Sequence, residues 1–206
     1  MTRTPRAPLA FGLALGLAAC APPRLYSADG DLPDVGDGSN WLAPENSWEK
    51  GSPPPAELAG EGFAVGQVLP DMRLVDQYGD EVAAWQWYGM VVAIDVSTMW
   101  CGPCRGLAAE VDETWLDYRD QGFMYITLLP QDQGGEVPDL SDLNAWAEQF
   151  DITAPVLSDD AGYSYQIVPD NTYPRIMVVG RDMRVIVDQV TPAEDTAIRA
   201  AIEAAL

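Results

Sequence analysis

The chain has 206 residues, enough for one compact domain with some length to spare. Its 32 acidic residues against 11 basic ones give a net charge of −21, which repels nucleic acid and anionic lipid headgroups and excludes both as expected partners. There is no histidine, which removes histidine-based acid–base triads, haem ligation through imidazole and the commonest zinc and copper ligands.

The first residues read as an export leader. Arg3 and Arg6 form a short basic start, and LAFGLALGLAA, Leu9 to Ala19, is an apolar run too short to span a bilayer but suited to secretion. It ends in Leu17-Ala18-Ala19-Cys20, which resembles the bacterial lipoprotein signal, whose cysteine is lipidated and becomes the new N-terminus. On that reading residues 1–20 are a lipoprotein signal ending at a lipidated Cys20, and the protein is anchored by lipid in the bacterial cell envelope. Ala21, in place of an aspartate, points to the outer membrane, facing the periplasm. The other reading is an ordinary leader cut near Ala19 that leaves Cys20 free. Cysteine arithmetic favours the first. Three cysteines in an exported chain leave one unpaired, whereas lipid on Cys20 leaves Cys101 and Cys104 as a pair whose disulfide an oxidising compartment permits.

Residues 21–62 are rich in Pro, Gly, Ser and Asp without apolar periodicity, so an acidic tether is expected there. Asp29, Asp31, Asp34 and Asp37 interleave with glycines, but Pro33 and the lack of a bidentate glutamate break the calcium-loop spacing. Solvated linker is the better reading. Trp41 and Trp48 stand apart as side chains able to dock part of the tether.

From Phe63 onward, residues 63–206, the pattern is that of a folded domain. Met72 to Val75 and Glu81 to Ala84 flank Gln77-Tyr78-Gly79-Asp80, a predicted hairpin. Met90 to Val96, MVVAIDV, is nearly all apolar and predicts a strand covered on both faces. Cys104, Leu107, Ala108, Val111, Trp115 and Tyr118 then form one stripe at helical spacing. Phe123 to Leu129 predicts another buried strand, and Leu143, Trp146, Ala147 and Phe150 a second amphipathic helix. A short extended piece at Pro155 to Leu157 and a helical turn near Tyr163 to Ile167 follow. Strands at Arg175 to Val179 and Arg184 to Val190 are joined by a turn at Gly180 to Met183. Thr191, Pro192 and Glu194 read as a capping box that opens the last helix. This order predicts an α/β domain with a mixed sheet sandwiched by helices.

The chemistry concentrates in STMWCGPCRG, Ser97 to Gly106. Cysteines at i and i+3 at a helix start can bring their sulfurs within bonding distance. Cys101 falls at the helix end, where unpaired backbone N–H groups and the helix dipole favour a thiolate. Cys104 falls on the buried stripe, where its proton is harder to remove. An exposed attacking sulfur and a sheltered resolving one are what dithiol exchange requires. Pro103 suits the first turn, where its missing N–H costs nothing. A metal site would need more ligands, and neither a second CxxC nor a histidine is present. A purely structural bridge closing so short a loop would restrict the unfolded chain little. The redox reading wins, with no metal and no bound cofactor expected.

From about Phe63 to Leu206 the sequence resembles the thioredoxin-like redoxins of the bacterial envelope, the lipoprotein or periplasmic thiol–disulfide oxidoreductases of TlpA/ResA-like type. WCGPC is similar to the thioredoxin active-site motif. FAVGQVLPDMRLVDQYGDEV resembles the redoxin N-terminal hairpin, and APVLSDDAGYSYQIVPDNTYPRIMVVGRDMRVI its later half. The resemblance implies a thioredoxin fold, with an N-terminal hairpin extension and an insertion after the second strand. It implies that Asp95, six residues before Cys101, is a buried acid of raised pKa that accepts the proton of Cys104. The plainer alternative for Asp95 is a solvated carboxylate at a strand end. It implies that Pro174, with Pro155 as the competing position, is a cis-proline facing the CxxC. Trp100, Gly102, Pro103 and Tyr173 would bind substrate beside it. Three positions depart from the family. Tyr173 stands where Thr or a small apolar residue is usual, Ser97 where an aromatic or small apolar residue is usual, and Met183 where the last hairpin has glycine.

The expected function is a membrane-tethered thiol–disulfide oxidoreductase that reduces disulfides of envelope proteins, since the Gly-Pro dipeptide resembles that of low-potential thioredoxin. Its partners would be those proteins and an upstream membrane or periplasmic electron donor. One rival is a thiol peroxidase of peroxiredoxin type: Thr98 stands three residues before Cys101 as in that family, but Ile94 replaces the family's proline. The other is a non-catalytic binding module on the same fold, against which the intact CGPC argues.

Overall fold

The computed structural model describes residues 38–206. The leader, Cys20 and the four tether aspartates lie outside the described residues. Strands β1 (Arg73–Asp76) and β2 (Glu81–Ala83) form the expected hairpin. Next come β3 (Val91–Val96), α1 (Gly102–Tyr118), β4 (Phe123–Leu129), α2 (Leu140–Gln149) and β5 (Val156–Ser158). The single-turn α3 (Ser164–Ile167), β6 (Arg175–Val179), β7 (Val185–Val187) and α4 (Asp195–Ala205) complete the domain. The strands make one sheet in the order β2-β1-β5-β4-β3-β6-β7. β3, β4 and β5 run parallel, and the other neighbours pair antiparallel. This is the mixed sheet of a thioredoxin fold, with α2 and β5 inserted after β4 and the β1–β2 hairpin joined to its edge through β5.

β3 and β4 are buried along their whole length, because the sheet is covered on both sides. Alternate residues serve the two faces. Val91, Ala93, Phe123 and Tyr125 pack with Leu107, Val111, Trp146 and Ile198 from the helices. Val92, Ile94, Met124, Ile126 and Leu128 pack with Phe63, Trp85, Trp87 and Tyr163.

Residues 38–62 differ most from the sequence reading. Trp41 Nε1 donates to Asp71 at 2.8 Å, Trp48 Nε1 to Asp76 at 2.6 Å, and Trp87 Nε1 to the Glu49 carbonyl at 3.0 Å. Backbone bonds from Gly51 to Gln86 and from Ser52 to Tyr88 extend the contact. Burying two indoles against the domain repays the order lost. This segment is therefore a docked strap, not a solvated linker.

Three smaller expectations change. Thr114 joins the stripe of α1 as a fully buried residue, while Trp115 and Tyr118 pack against the core only partly buried, and the Thr114 Oγ1 donates to Asp195 at 2.7 Å. β7 ends at Val187, not Val190. The capping box at Thr191 does not form: α4 opens at Asp195 with Glu194 as N-cap and no side-chain cap bond. Val190 still donates its N–H to Ile176 of β6, so residues 191–194, including the cis Thr191–Pro192 peptide, must turn the chain before the helix can begin. Met183 takes the left-handed conformation, φ 62°, that its glycine-like position requires. Burial of its side chain in the apolar core offsets that local cost.

Candidate active site

β3 ends at Val96 and α1 begins at Gly102, so the CGPC motif sits where the central strand turns into a helix. Cys101 is the N-cap of α1, Pro103 lies in its first turn, and the Cys101 sulfur accepts the Cys104 N–H at 3.2 Å. The two cysteines form a disulfide with their Cα atoms 5.3 Å apart. In the reduced state the same N–H and the helix start would stabilise a Cys101 thiolate. Cys104 has no exposed surface. Cys101 is 6% exposed, less open than the sequence suggested, because it lies in a groove and not on a convex surface.

That groove, about 390 Å³, runs between Trp100 to Pro103 on one side and Asn171 to Tyr173 on the other. Tyr173–Pro174 is a cis peptide. The departure at Tyr173 has a structural meaning, since its ring meets the half-exposed Trp100 edge to face, with centroids 6.1 Å apart. Gln131, unnoticed in the sequence, accepts the Trp100 indole N–H at 2.9 Å. Its only sequence signal is that it follows β4 as the motif follows β3, which puts both loops at one end of the sheet. Pro155, the competing proline, lies instead before β5.

Asp95 is fully buried on β3, between Thr127 of β4 and Ile176 of β6. Burial pushes its pKa from 3.8 up to about 7, against the lowering effect of the Ser97 hydroxyl, which donates to Oδ1 at 2.6 Å. Ser97 thus replaces the usual family residue with a hydroxyl aimed at the acid. Residues i and i+2 of an extended chain share a face, which is the signal that could have revealed it. At neutral pH Asp95 is poised to take a proton or release one.

Because the folded pKa of Asp95 exceeds the unfolded value, the folded protein retains a proton that the unfolded chain releases between pH 3.8 and about 7. Its stability contribution is present below that window and is lost as pH rises through it. Asp95→Asn should therefore raise the melting temperature at pH 8, by up to roughly 4 kcal/mol in stability, and change it little near pH 4. The same variant should slow disulfide reduction near neutral pH. Melting curves at both pH values check the first expectation, and an unchanged curve at pH 8 would contradict it.

The AhpC/TSA family profile matches residues 65–188. No curated protein sequence matches the chain. Among solved structures, the thioredoxin domain of a Bacteroides vulgatus thiol-disulfide oxidoreductase superposes with a TM-score of 0.58 at 17% identity, over 68% of this chain and 96% of that one. A Chlorobium tepidum protein described as thiol:disulfide interchange protein DsbE gives 0.56 at 22% identity, over 68% and 94%. A secreted Mycobacterium tuberculosis disulfide oxidoreductase, homologous to Escherichia coli DsbE, gives 0.53 at 14%, over 66% and 96%. These likenesses establish the fold. The cysteine pair adds the chemistry of an oxidoreductase of thiols and disulfides, and with the profile spanning more than half of its length the chain belongs to the AhpC/TSA family.

Proposed function

We propose that the protein reduces disulfides of envelope proteins and is held to the membrane by lipid on Cys20. The observation that carries the reading is the Cys101–Cys104 disulfide, whose Cys101 lines a groove walled by Asn171 to Tyr173, just before the cis Tyr173–Pro174 peptide. A client chain lying along that segment can present its disulfide to Cys101. The Cys101 thiolate attacks one client sulfur, the client S–S bond breaks, and the departing sulfur takes a proton. Cys104 then gives its proton to Asp95 and attacks Cys101. The client leaves as a dithiol and the enzyme remains as the disulfide. Two electrons and two protons from an upstream thiol donor restore it.

A peroxidase reading has one observation in its favour: Thr98, three residues before Cys101, buries a hydroxyl that bonds to no residue. The purified protein is expected to reduce insulin disulfides with dithiothreitol as donor and to consume peroxide slowly. Peroxide turnover outpacing disulfide reduction would install the peroxidase reading instead. For the anchor, the whole chain expressed in a bacterium should partition into detergent, and Cys20→Ser should leave it soluble or uncut. Wild-type protein found wholly in the soluble periplasmic fraction would refute the anchor.

A further inference from the structure

The loop that carries the cysteines is braced by the loop that follows β4. β3 and β4 run parallel, so both loops leave the same end of the sheet, and the bonds between them continue past the strands. The Ser97 N–H donates to the Leu128 carbonyl at 3.1 Å, and the Met99 N–H to the Gln131 carbonyl at 3.0 Å. One residue further on, the side chain of Gln131 adds a second contact: its Oε1 accepts the Trp100 indole N–H at 2.9 Å. The turn after Gln131 is closed in its own right. The Asp132 N–H donates to the Glu136 carbonyl at 2.7 Å, and Asp132 Oδ1 accepts the N–H groups of Gly134 and Glu136. Trp100 is thus fixed at two points, by Gln131 at its N–H and by contact with the Tyr173 ring, although about half of it is exposed. A large exposed ring held still beside a nucleophile is a preorganised binding surface.

We propose that Gln131 is a positioning residue that sets the affinity of the groove for a client polypeptide by holding the Trp100 indole as its wall. This role presupposes the disulfide-reductase reading. Trp100 lines the groove together with Cys101 and Tyr173, and Cys101 itself is nearly buried, so a client reaches the sulfur by lying against the indole. A ring already held in place meets the client without loss of rotamer freedom. A released ring must be ordered again at every binding event, which lowers affinity. The bond that supports the backbone ahead of Cys101 comes from the Gln131 carbonyl, which a side-chain substitution retains. Removing the side-chain oxygen should therefore weaken client binding and leave the thiol chemistry intact.

Gln131→Leu keeps the bulk of the side chain and removes the acceptor. It should raise KM for insulin reduction about fivefold, the net contribution of one hydrogen bond, with kcat changed by less than about twofold. Iodoacetamide should alkylate its reduced Cys101 at the wild-type rate. In nitrogen-15 spectra the Trp100 indole N–H signal, identified by its absence from Trp100→Phe, should shift and exchange faster with solvent. Trp100→Phe removes the donor from the other side, so Gln131→Leu should raise KM hardly further in that background. Gln131→Asn, one methylene shorter, should behave as Gln131→Leu does, and it replaces that variant if leucine lowers the melting temperature. An unchanged KM, a fall in kcat alone, or a rise in KM that persists undiminished in the Trp100→Phe background overturns the assignment. Failure of the wild type itself to reduce insulin would instead overturn the reading on which it rests.

Discussion

Cys104→Ser is expected to stop turnover and to leave the protein covalently joined to its clients. In the proposed mechanism the buried Cys104 attacks Cys101 once a client is attached, and serine cannot replace it as a nucleophile toward sulfur at neutral pH. Mixed disulfides should therefore accumulate and run as reducible higher bands on non-reducing gels. Multiple turnover should fall by a factor on the order of 10³ or more, as when the nucleophile of a covalent mechanism is deleted. Cys101→Ser should lose as much activity but trap almost nothing, because it removes the sulfur at the helix start where the thiolate forms. Alkylation gives a second view: in the reduced wild type, iodoacetamide should label Cys101 well below the pH of a free thiol and Cys104 only slowly. Equal trapping by both variants, or by neither, would reverse or abolish the assignment of attacker and resolver.

The largest expected loss of stability lies far from the cysteines. Trp48 is 9% exposed, belongs to one of the two cores, packs against Tyr78, and donates to the fully buried Asp76. Asp76 in turn accepts from the backbone N–H groups of Tyr78 and Asp80, so it organises the β1–β2 turn. Trp48→Ala removes a large buried ring and one bond to a carboxylate, a loss of about 3–5 kcal/mol. For a domain of this size that lowers the melting temperature by about 10 °C. Trp48→Phe, which keeps most of the packing, should lose less than half as much. A Trp48→Ala protein melting within a degree of wild type would mean that the strap does not contribute to the fold.

What could be read from the sequence was what local chemistry determines. The two central strands, the motif between strand and helix, and the i, i+3 pairing of Cys101 with Cys104 all lie within a few residues of one another. Asp95 and Pro174 needed the family resemblance, because the burial of Asp95 depends on its neighbours Thr127 and Ile176 and the place of Pro174 on β3 pairing with β6. Of the strap only Trp41 and Trp48 stood out in the sequence, for a related reason. The carboxylates that accept from Trp41 and Trp48 lie 30 and 28 positions further along, and nothing local marks Asp71 or Asp76 as buried. At Thr191 local chemistry misled: the capping pattern is present, but the long-range bond from Val190 to Ile176 holds the chain extended and delays the helix.

Under the proposed lipid anchor, the docked strap would also set a working radius. Gly38 is already held within the docked strap by a bond to the Leu58 carbonyl, so a lipid on Cys20 would act through a leash of some eighteen residues. Fully extended, such a leash spans at most about 60 Å, whereas one running freely to Phe63 would allow roughly 150 Å. The accessible volume would shrink with the cube of that length, and the effective concentration of the groove near a membrane would rise accordingly. Clients would then be selected first by how close to the bilayer they expose a disulfide, and only afterwards by what they offer to Trp100 and Tyr173.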